Sequence, residues 1–128
     1  MDSPMIEAVF WVCASAVAFA YFAYPPDDYA ANMRTILDAV LAVVPAERVV
    51  VVTTPDFTLT EVEGAADEAE ARSARVAQLN EIVTQVAADR GIATVDISPV
   101  ADRVTSDPTL VASDGSHPSA KQLSLIHI

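Results

Sequence analysis

The chain has 128 residues, of which 52% are hydrophobic and 20% are charged, which indicates one small packed domain or part of a larger one and excludes a disordered segment. Its formal net charge of -11 and its 7 basic residues argue against binding to nucleic acid or to anionic lipid. The single cysteine, Cys13, excludes an intrachain disulfide and a cysteine-based zinc site.

Residues 1–26 form an apolar N-terminal segment whose status the sequence leaves open. An uncharged run over residues 9–24 is slightly short for a membrane span, which needs about 20 residues. It resembles the apolar part of a signal peptide, but Asp2 and Glu7 stand where positive charge is expected. A buried helix, a buried strand with a turn, a membrane anchor and a stretch foreign to the natural reading frame all remain open. We expect any membrane contact to involve residues 9–24 alone.

The next segment predicts a helix followed by a strand. Residues 25–28 read Pro-Pro-Asp-Asp, and both residue types favour the first turn of a helix. Apolar residues then recur at helical spacing from Tyr29 to Val44, and Pro45 ends the pattern. Residues 49–54, Val-Val-Val-Val-Thr-Thr, predict a strand buried on both faces, as in a parallel sheet.

A long helix and a second strand follow. Residues 65–90 are rich in Ala, Glu, Arg and Gln, and Gly91 is the residue type that commonly terminates a helix. Residues 92–97 predict a second buried strand, and residues 98–113 predict a loop with one helical turn. Strands separated by helices indicate parallel pairing. The pattern therefore predicts an α/β fold in residues 27–122, typical of the C-terminal half of a doubly wound domain.

The last residues, 123–128, read Leu-Ser-Leu-Ile-His-Ile and look like the translation of a transposon adapter used in DNA library preparation. We therefore expect this tail to lie outside the natural domain and His127 to carry no function. The alternative is an ordinary apolar strand or helical turn.

The motif Asp-Gly-Ser-His-Pro, from Asp114 to Pro118, is the candidate functional site. An Asp three residues before a His, on a turn, can present a carboxylate and an imidazole to the same cleft. Such a pair acts as a general base, because the carboxylate orients the imidazole and stabilises its protonated form. The alternative is a surface turn with no chemical role, since Asp-Gly is a common turn dipeptide.

In this order of elements the chain resembles the SGNH hydrolases, the GDSL family of esterases and lipases. The resemblance covers residues 27–122 and rests on the Asp-x-x-His-Pro match, on the Thr-Pro-Asp-Phe end of the first strand and on the Val-Asp-Ile end of the second. It implies a flavodoxin-like three-layer α/β/α fold with a parallel sheet. It also implies hydrolysis of a small ester or acylated substrate without a metal or cofactor, with His117 as the general base and Asp114 as its orienting carboxylate.

The chain departs from the family in the half of the site that attacks the substrate. It contains no Gly-Asp-Ser, which carries the family's nucleophile, and no Gly-x-Asn-Asp before the first helix. Local serines are poor substitutes. Ser116 adjoins His117, Ser15 lies in the apolar run, and Ser113 and Ser119 are expected to be turn and helix-cap residues. The resemblance therefore implies a fragment that lacks its N-terminal strands and its nucleophile and that is inactive alone.

The missing nucleophile keeps open an alternative of another class, a non-catalytic, membrane-tethered acidic α/β module that binds a partner. A metal site in the loop is disfavoured, because the spacing of its residues matches no known ligand pattern. The residues concerned are Asp102, Asp107, Asp114 and His117.

Overall fold

The computed structural model describes residues 25–56, 66–115 and 117–126. These residues form helices and two strands in the order α1 (Pro26–Leu41), β1 (Val50–Val52), α2 (Ala66–Ala88), β2 (Ala93–Val95), α3 (Ser98–Ala101) and α4 (Ala120–Ser124). Short 3₁₀ helices lie at Ala46–Arg48, Asp102–Thr105 and Pro108–Leu110. The apolar run 9–24 and residues 127–128 of the tail lie outside the described residues.

Helix α1 forms where the Pro-Pro-Asp-Asp sequence predicts a helix. Pro26 occupies the first helical turn, where a missing backbone N–H costs no hydrogen bond, and two aspartates follow it near the positive end of the helix dipole. Tyr29, Met33 and Leu37 lie one turn apart and are buried. The helix ends at Leu41, before Pro45.

The two strands pair in parallel, as predicted. Their register runs from Val50 opposite Ala93 to Val52 opposite Val95. The prediction that β1 is buried on both faces is wrong, because Val50 is 46% exposed while Val51 is 8% exposed. In the described part of the chain α1 and α2 pack on the face that carries Val51, while the face with Val50 keeps contact with solvent.

Helix α2 supplies most of the core. Its buried side chains meet those of α1 and Val51 in one apolar cluster, and they are Val76, Leu79, Val83, Val86 and Ala87. Gly91 follows the helix with a φ of 69°, a conformation that glycine adopts without strain, and this confirms its predicted position at the helix end. The chain is thus a mixed α/β fold with a parallel sheet, as predicted.

An ion pair joins the surfaces of the two long helices. The Arg90 guanidinium beyond the end of α2 donates two hydrogen bonds to the Asp38 carboxylate of α1, from Nε at 2.7 Å and from the terminal nitrogen at 3.1 Å. Hydrogen bonding to Arg90 lowers the pKa of Asp38. The pair links α1 and α2 at the solvent side of their shared core.

The segment after β2 contributes four further buried side chains that lie outside the main apolar cluster. They are Ile97, Ala101, Leu110 and Gln122. Helix α4 ends this segment and runs to Ser124, two residues into the adapter-like tail of residues 123–128. Leu123 in that part of α4 is 55% exposed. Among the described residues, no helix combines the length and apolar character that crossing a membrane requires.

Candidate active site

The Asp-Gly-Ser-His-Pro motif lies on a hairpin-like loop of residues 110–119, which we call the His loop. Val111 and Pro118 form an antiparallel bridge across it. The backbone N–H of Ala112 donates to the carbonyl of His117 at 2.8 Å, and the N–H of Ser119 donates to the carbonyl of Leu110 at 2.8 Å. These contacts bring the two arms of the loop together, so Asp114 and His117 lie near its tip, where both are exposed.

A tight turn at the tip is made by the glycine of the motif. The backbone N–H of Gly115 donates to the carbonyl of Ala112 at 3.0 Å, which closes a β-turn. Gly115 has a φ of 78°, in the left-handed region where a side chain would clash with the backbone. The turn leaves Asp114 directly before the reversal, with its carboxylate on the side of His117.

The structure brings the two predicted site residues into direct contact. His117 Nδ1 lies 2.6 Å from Asp114 Oδ2, and the backbone N–H of His117 donates to Asp114 Oδ1 at 3.0 Å. Because an ionised carboxylate can only accept hydrogen bonds, the geometry favours the imidazole tautomer with its proton on Nδ1. The other ring nitrogen, Nε2, then carries a lone pair that can accept a proton. The His117 side chain is 79% exposed, so solvent and small molecules reach the ring.

The base of the His loop is held by polar side chains. Lys121 Nζ donates to Asp107 Oδ2 at 2.7 Å and to Thr109 Oγ1 at 2.8 Å. We call Asp107, Thr109 and Lys121 the base cluster. Hydrogen bonds from Lys121 and then from Thr109 lower the pKa of Asp107 from its ordinary value of 3.8 to about 2. The Asp107 carboxylate is therefore ionised across the whole range in which histidines ordinarily titrate.

Ser119 has the capping role that the sequence predicts for it. Its Oγ accepts a hydrogen bond from the backbone N–H of Gln122 at 3.2 Å, at the start of α4. The same hydroxyl donates to the carbonyl of Thr109 at 2.8 Å. Ser113 is exposed in the turn at the tip, whereas Ser15 and Ser116 lie outside the described residues. Ser119 is thus occupied in structural contacts.

Polar side chains also connect the carboxyl ends of the two strands to each other by hydrogen bonds. The buried Thr53 donates from Oγ1 to Asp96 Oδ1 at 3.1 Å and accepts from the backbone N–H of Ile97 at 3.0 Å. The N–H of Ser98 donates to the same Asp96 oxygen at 2.9 Å and is the first cause that lowers the pKa of Asp96. These bonds fix the point at which the chain leaves β2 toward the His loop.

Helix α2 is tied to the end of β1 by one amide side chain. Asn80 Oδ1 accepts from the backbone N–H of Thr54 at 2.8 Å, and Asn80 Nδ2 donates to the carbonyl of Thr54 at 2.8 Å. The amide thereby takes the place of a neighbouring strand for one residue. The sequence gives no signal for this contact, because its two residues lie 26 positions apart.

The base cluster was also not foreseen. Asp107 was considered only as a metal ligand, and it instead contacts Lys121, which follows it by 14 positions. Spacing in the sequence gives no signal for such a contact, because it depends on how the His loop folds back. Among the described residues, no group of three or more His, Cys, Asp or Glu side chains is placed to hold a metal ion.

Comparison with known protein families shows the family to which the chain belongs. The model of the GDSL-like Lipase/Acylhydrolase family matches residues 20–122. The chain belongs to this family. The match spans the helices α1 and α2, both strands and the His loop, so the resemblance seen in the sequence is confirmed and the function is of the hydrolase kind. No curated protein and no solved structure matched the chain.

Proposed function

We propose that this chain supplies the general base of a serine-type carboxylic ester hydrolase, with His117 as the base and Asp114 as its orienting carboxylate. The observation that carries the proposal is the 2.6 Å contact between His117 Nδ1 and Asp114 Oδ2. It is supported by the second bond to the same carboxylate, from the His117 backbone N–H, and by the family match over the loop. The substrate class is a small-molecule ester or another acylated compound.

Each group has a defined role in the proposed reaction. A serine hydroxyl attacks the acyl carbon while His117 Nε2 takes its proton, and Asp114 stabilises the positive charge that forms on the ring. The resulting oxyanion is held by hydrogen-bond donors, and its collapse expels the alcohol, to which Nε2 returns the proton. Water then repeats the two steps on the acyl-enzyme, releasing the acid and restoring the serine. No step in this sequence needs a metal or an organic cofactor.

The attacking serine is the part that this sequence lacks in recognisable form. It contains no Gly-Asp-Ser. We propose that the chain is a fragment of a longer protein and that the serine nucleophile lies in another part of that protein. The chain alone is therefore expected to show no serine-dependent turnover of a short-chain nitrophenyl ester and no labelling by a fluorophosphonate. Labelling of a specific serine together with turnover would contradict the fragment proposal.

The role of the pair itself is tested in a fusion. The segment of an active family member that contains Gly-Asp-Ser and Gly-x-Asn-Asp is placed before Asp27, so that this chain provides the remaining half of the site. We expect esterase activity that falls by about 10⁴ in Asp114→Asn, because the wrong imidazole tautomer is then favoured. Asp102→Asn, at an exposed aspartate of the same segment, is the matched control and should keep the activity. An active fusion in which Asp114→Asn and His117→Ala change nothing would refute the assignment.

A further inference from the structure

The chain segments that enter and leave the His loop are joined by the base cluster. Asp107 and Thr109 lie before the loop, and Lys121 lies after it on α4. Lys121 Nζ contacts both, at 2.7 Å and 2.8 Å. The residues enclosed between these contacts include Asp114 and His117.

Further hydrogen bonds converge on the same point. Asp107 Oδ1 accepts from the backbone N–H of Thr109 at 3.1 Å and so caps the 3₁₀ helix Pro108–Leu110. The Ser119 hydroxyl donates to the carbonyl of Thr109 at 2.8 Å. Thr109 is therefore held from three directions, by Asp107, Lys121 and Ser119. The base of the loop has one defined geometry as long as these contacts persist.

We propose that Lys121 is a positioning residue for the His117–Asp114 pair and acts through Asp107 and Thr109. The inference rests on the proposed function of that pair. Lys121 bonds to Asp107 and Thr109 and so fixes the separation of the two arms that carry the pair. The site needs this support because both site side chains are exposed, so few packing contacts hold them. A catalytic pair must keep its geometry to within about 0.5 Å, which a loop with free ends does not achieve.

Because the base cluster is exposed, its effect on the position of the His117–Asp114 pair can be distinguished from its effect on the stability of the whole chain. The side chains of Lys121 and Asp107 are 56% and 37% exposed, and ion pairs of this kind add little to the free energy of unfolding. We therefore expect the loss of Lys121 to change the hydrogen bond of the His–Asp pair more than it changes the melting temperature. A residue with a purely structural role would show the opposite pattern.

The test measures the imidazole tautomer of His117 by ¹H–¹⁵N NMR in the full chain, at a pH above the ordinary titration range of histidine. His127→Gln removes the second histidine signal. The variants are Lys121→Met and Asp107→Asn, which remove opposite charges from the same contact. If the contact positions the pair, both variants lower the ratio of the Nδ1–H to the Nε2–H tautomer, by about two- to fivefold, as expected for the loss of one exposed ion pair.

Lys121→Arg keeps the charge and a donor and should retain most of the wild-type ratio. Asp38→Asn breaks the exposed ion pair with Arg90, between the two long helices, and should leave the ratio unchanged. Hydrogen exchange at the backbone N–H of Ala112, which bonds to the His117 carbonyl, should accelerate in Lys121→Met and not in Asp38→Asn.

Three results would overturn the inference. Shifts of the tautomer ratio in opposite directions in Lys121→Met and Asp107→Asn would show an effect of charge through space and no positioning. An unchanged ratio in both variants would show that the His loop holds the pair without the base cluster. If the wild-type ring instead carries its proton on Nε2, the proposed function fails together with this inference, whereas a wild-type Nδ1–H tautomer that neither variant alters removes only the inference.

Discussion

The helical core and the His loop of this protein are held together by different forces. In the core, side chains such as Met33 and Leu79 are at most 5% exposed and pack into one apolar cluster. In the loop, His117 is 79% exposed, and the chain is shaped by a turn, a bridge and a group of charged and hydroxyl side chains. The comparison shows that this protein places its candidate chemistry where apolar burial contributes least and where directional hydrogen bonds decide the geometry.

The largest expected effect is in the core. Met33 of α1 is completely buried in the apolar cluster, so Met33→Ala should lower the free energy of unfolding by about 2–5 kcal/mol through lost burial and a cavity. Urea denaturation followed by circular dichroism measures the change. Val43→Ala, at a valine that is 74% exposed, is the control and should have almost no effect. Equal losses in the two variants would show that the core is not the principal source of stability.

A smaller effect on the free energy of unfolding is expected at the hydrogen bonds between Asn80 of α2 and the backbone of Thr54 after β1. Asn80→Ala removes the partner of both backbone groups of the half-buried Thr54, and leaving such groups unpaired costs about 1–3 kcal/mol. The same denaturation experiment measures it. Gln85→Ala removes an exposed amide that bonds only to Asp89 among the contacts described, and it should cost much less. A loss in Asn80→Ala no greater than that in Gln85→Ala would mean that water replaces the lost contacts.

The smallest effect on stability is expected in the base cluster, and it depends on pH. The pKa of Asp107 is about 2 in the folded chain and 3.8 ordinarily, so its stabilising contribution is complete above that ordinary value. The contribution is lost as the pH falls from 3.8 through about 2, because the carboxyl is then protonated in the folded chain as well.

NMR of the Asp107 carboxyl carbon measures this titration directly. We expect a midpoint near 2 in the wild type and a return toward 3.8 in Lys121→Met, because the first cause of the shift is the hydrogen bond to Lys121. A wild-type midpoint near 3.8 would show that the ion pair does not persist in solution.

The same contrast between core and loop explains how far the sequence could predict the structure. Helical spacing from Tyr29 onward and the run of valines at 49–52 predicted α1 and β1, because a buried face leaves a periodic pattern. The expectation that both faces of β1 are buried was wrong for the face that carries Val50. A run of β-branched residues indicates a strand, but it does not indicate how many faces of that strand are covered.

In the site, the local contact was predictable and the long-range one was not. Asp114 and His117 lie three positions apart on a turn, so their contact follows from local geometry. Lys121 and Asp107 meet only because the loop folds back on itself, and no periodicity in the sequence marks such a meeting. The contact between Asn80 and Thr54 was missed for the same reason.

The measurement that tests the central claim most directly is the tautomer of His117 in the wild type and in Asp114→Asn, read by ¹H–¹⁵N NMR above the ordinary titration range of histidine. We predict that the wild-type ring carries its proton on Nδ1, toward Asp114, and that the share of this tautomer falls in Asp114→Asn. A wild-type ring with its proton on Nε2, unchanged by the substitution, would contradict the claim that Asp114 orients His117 as a general base.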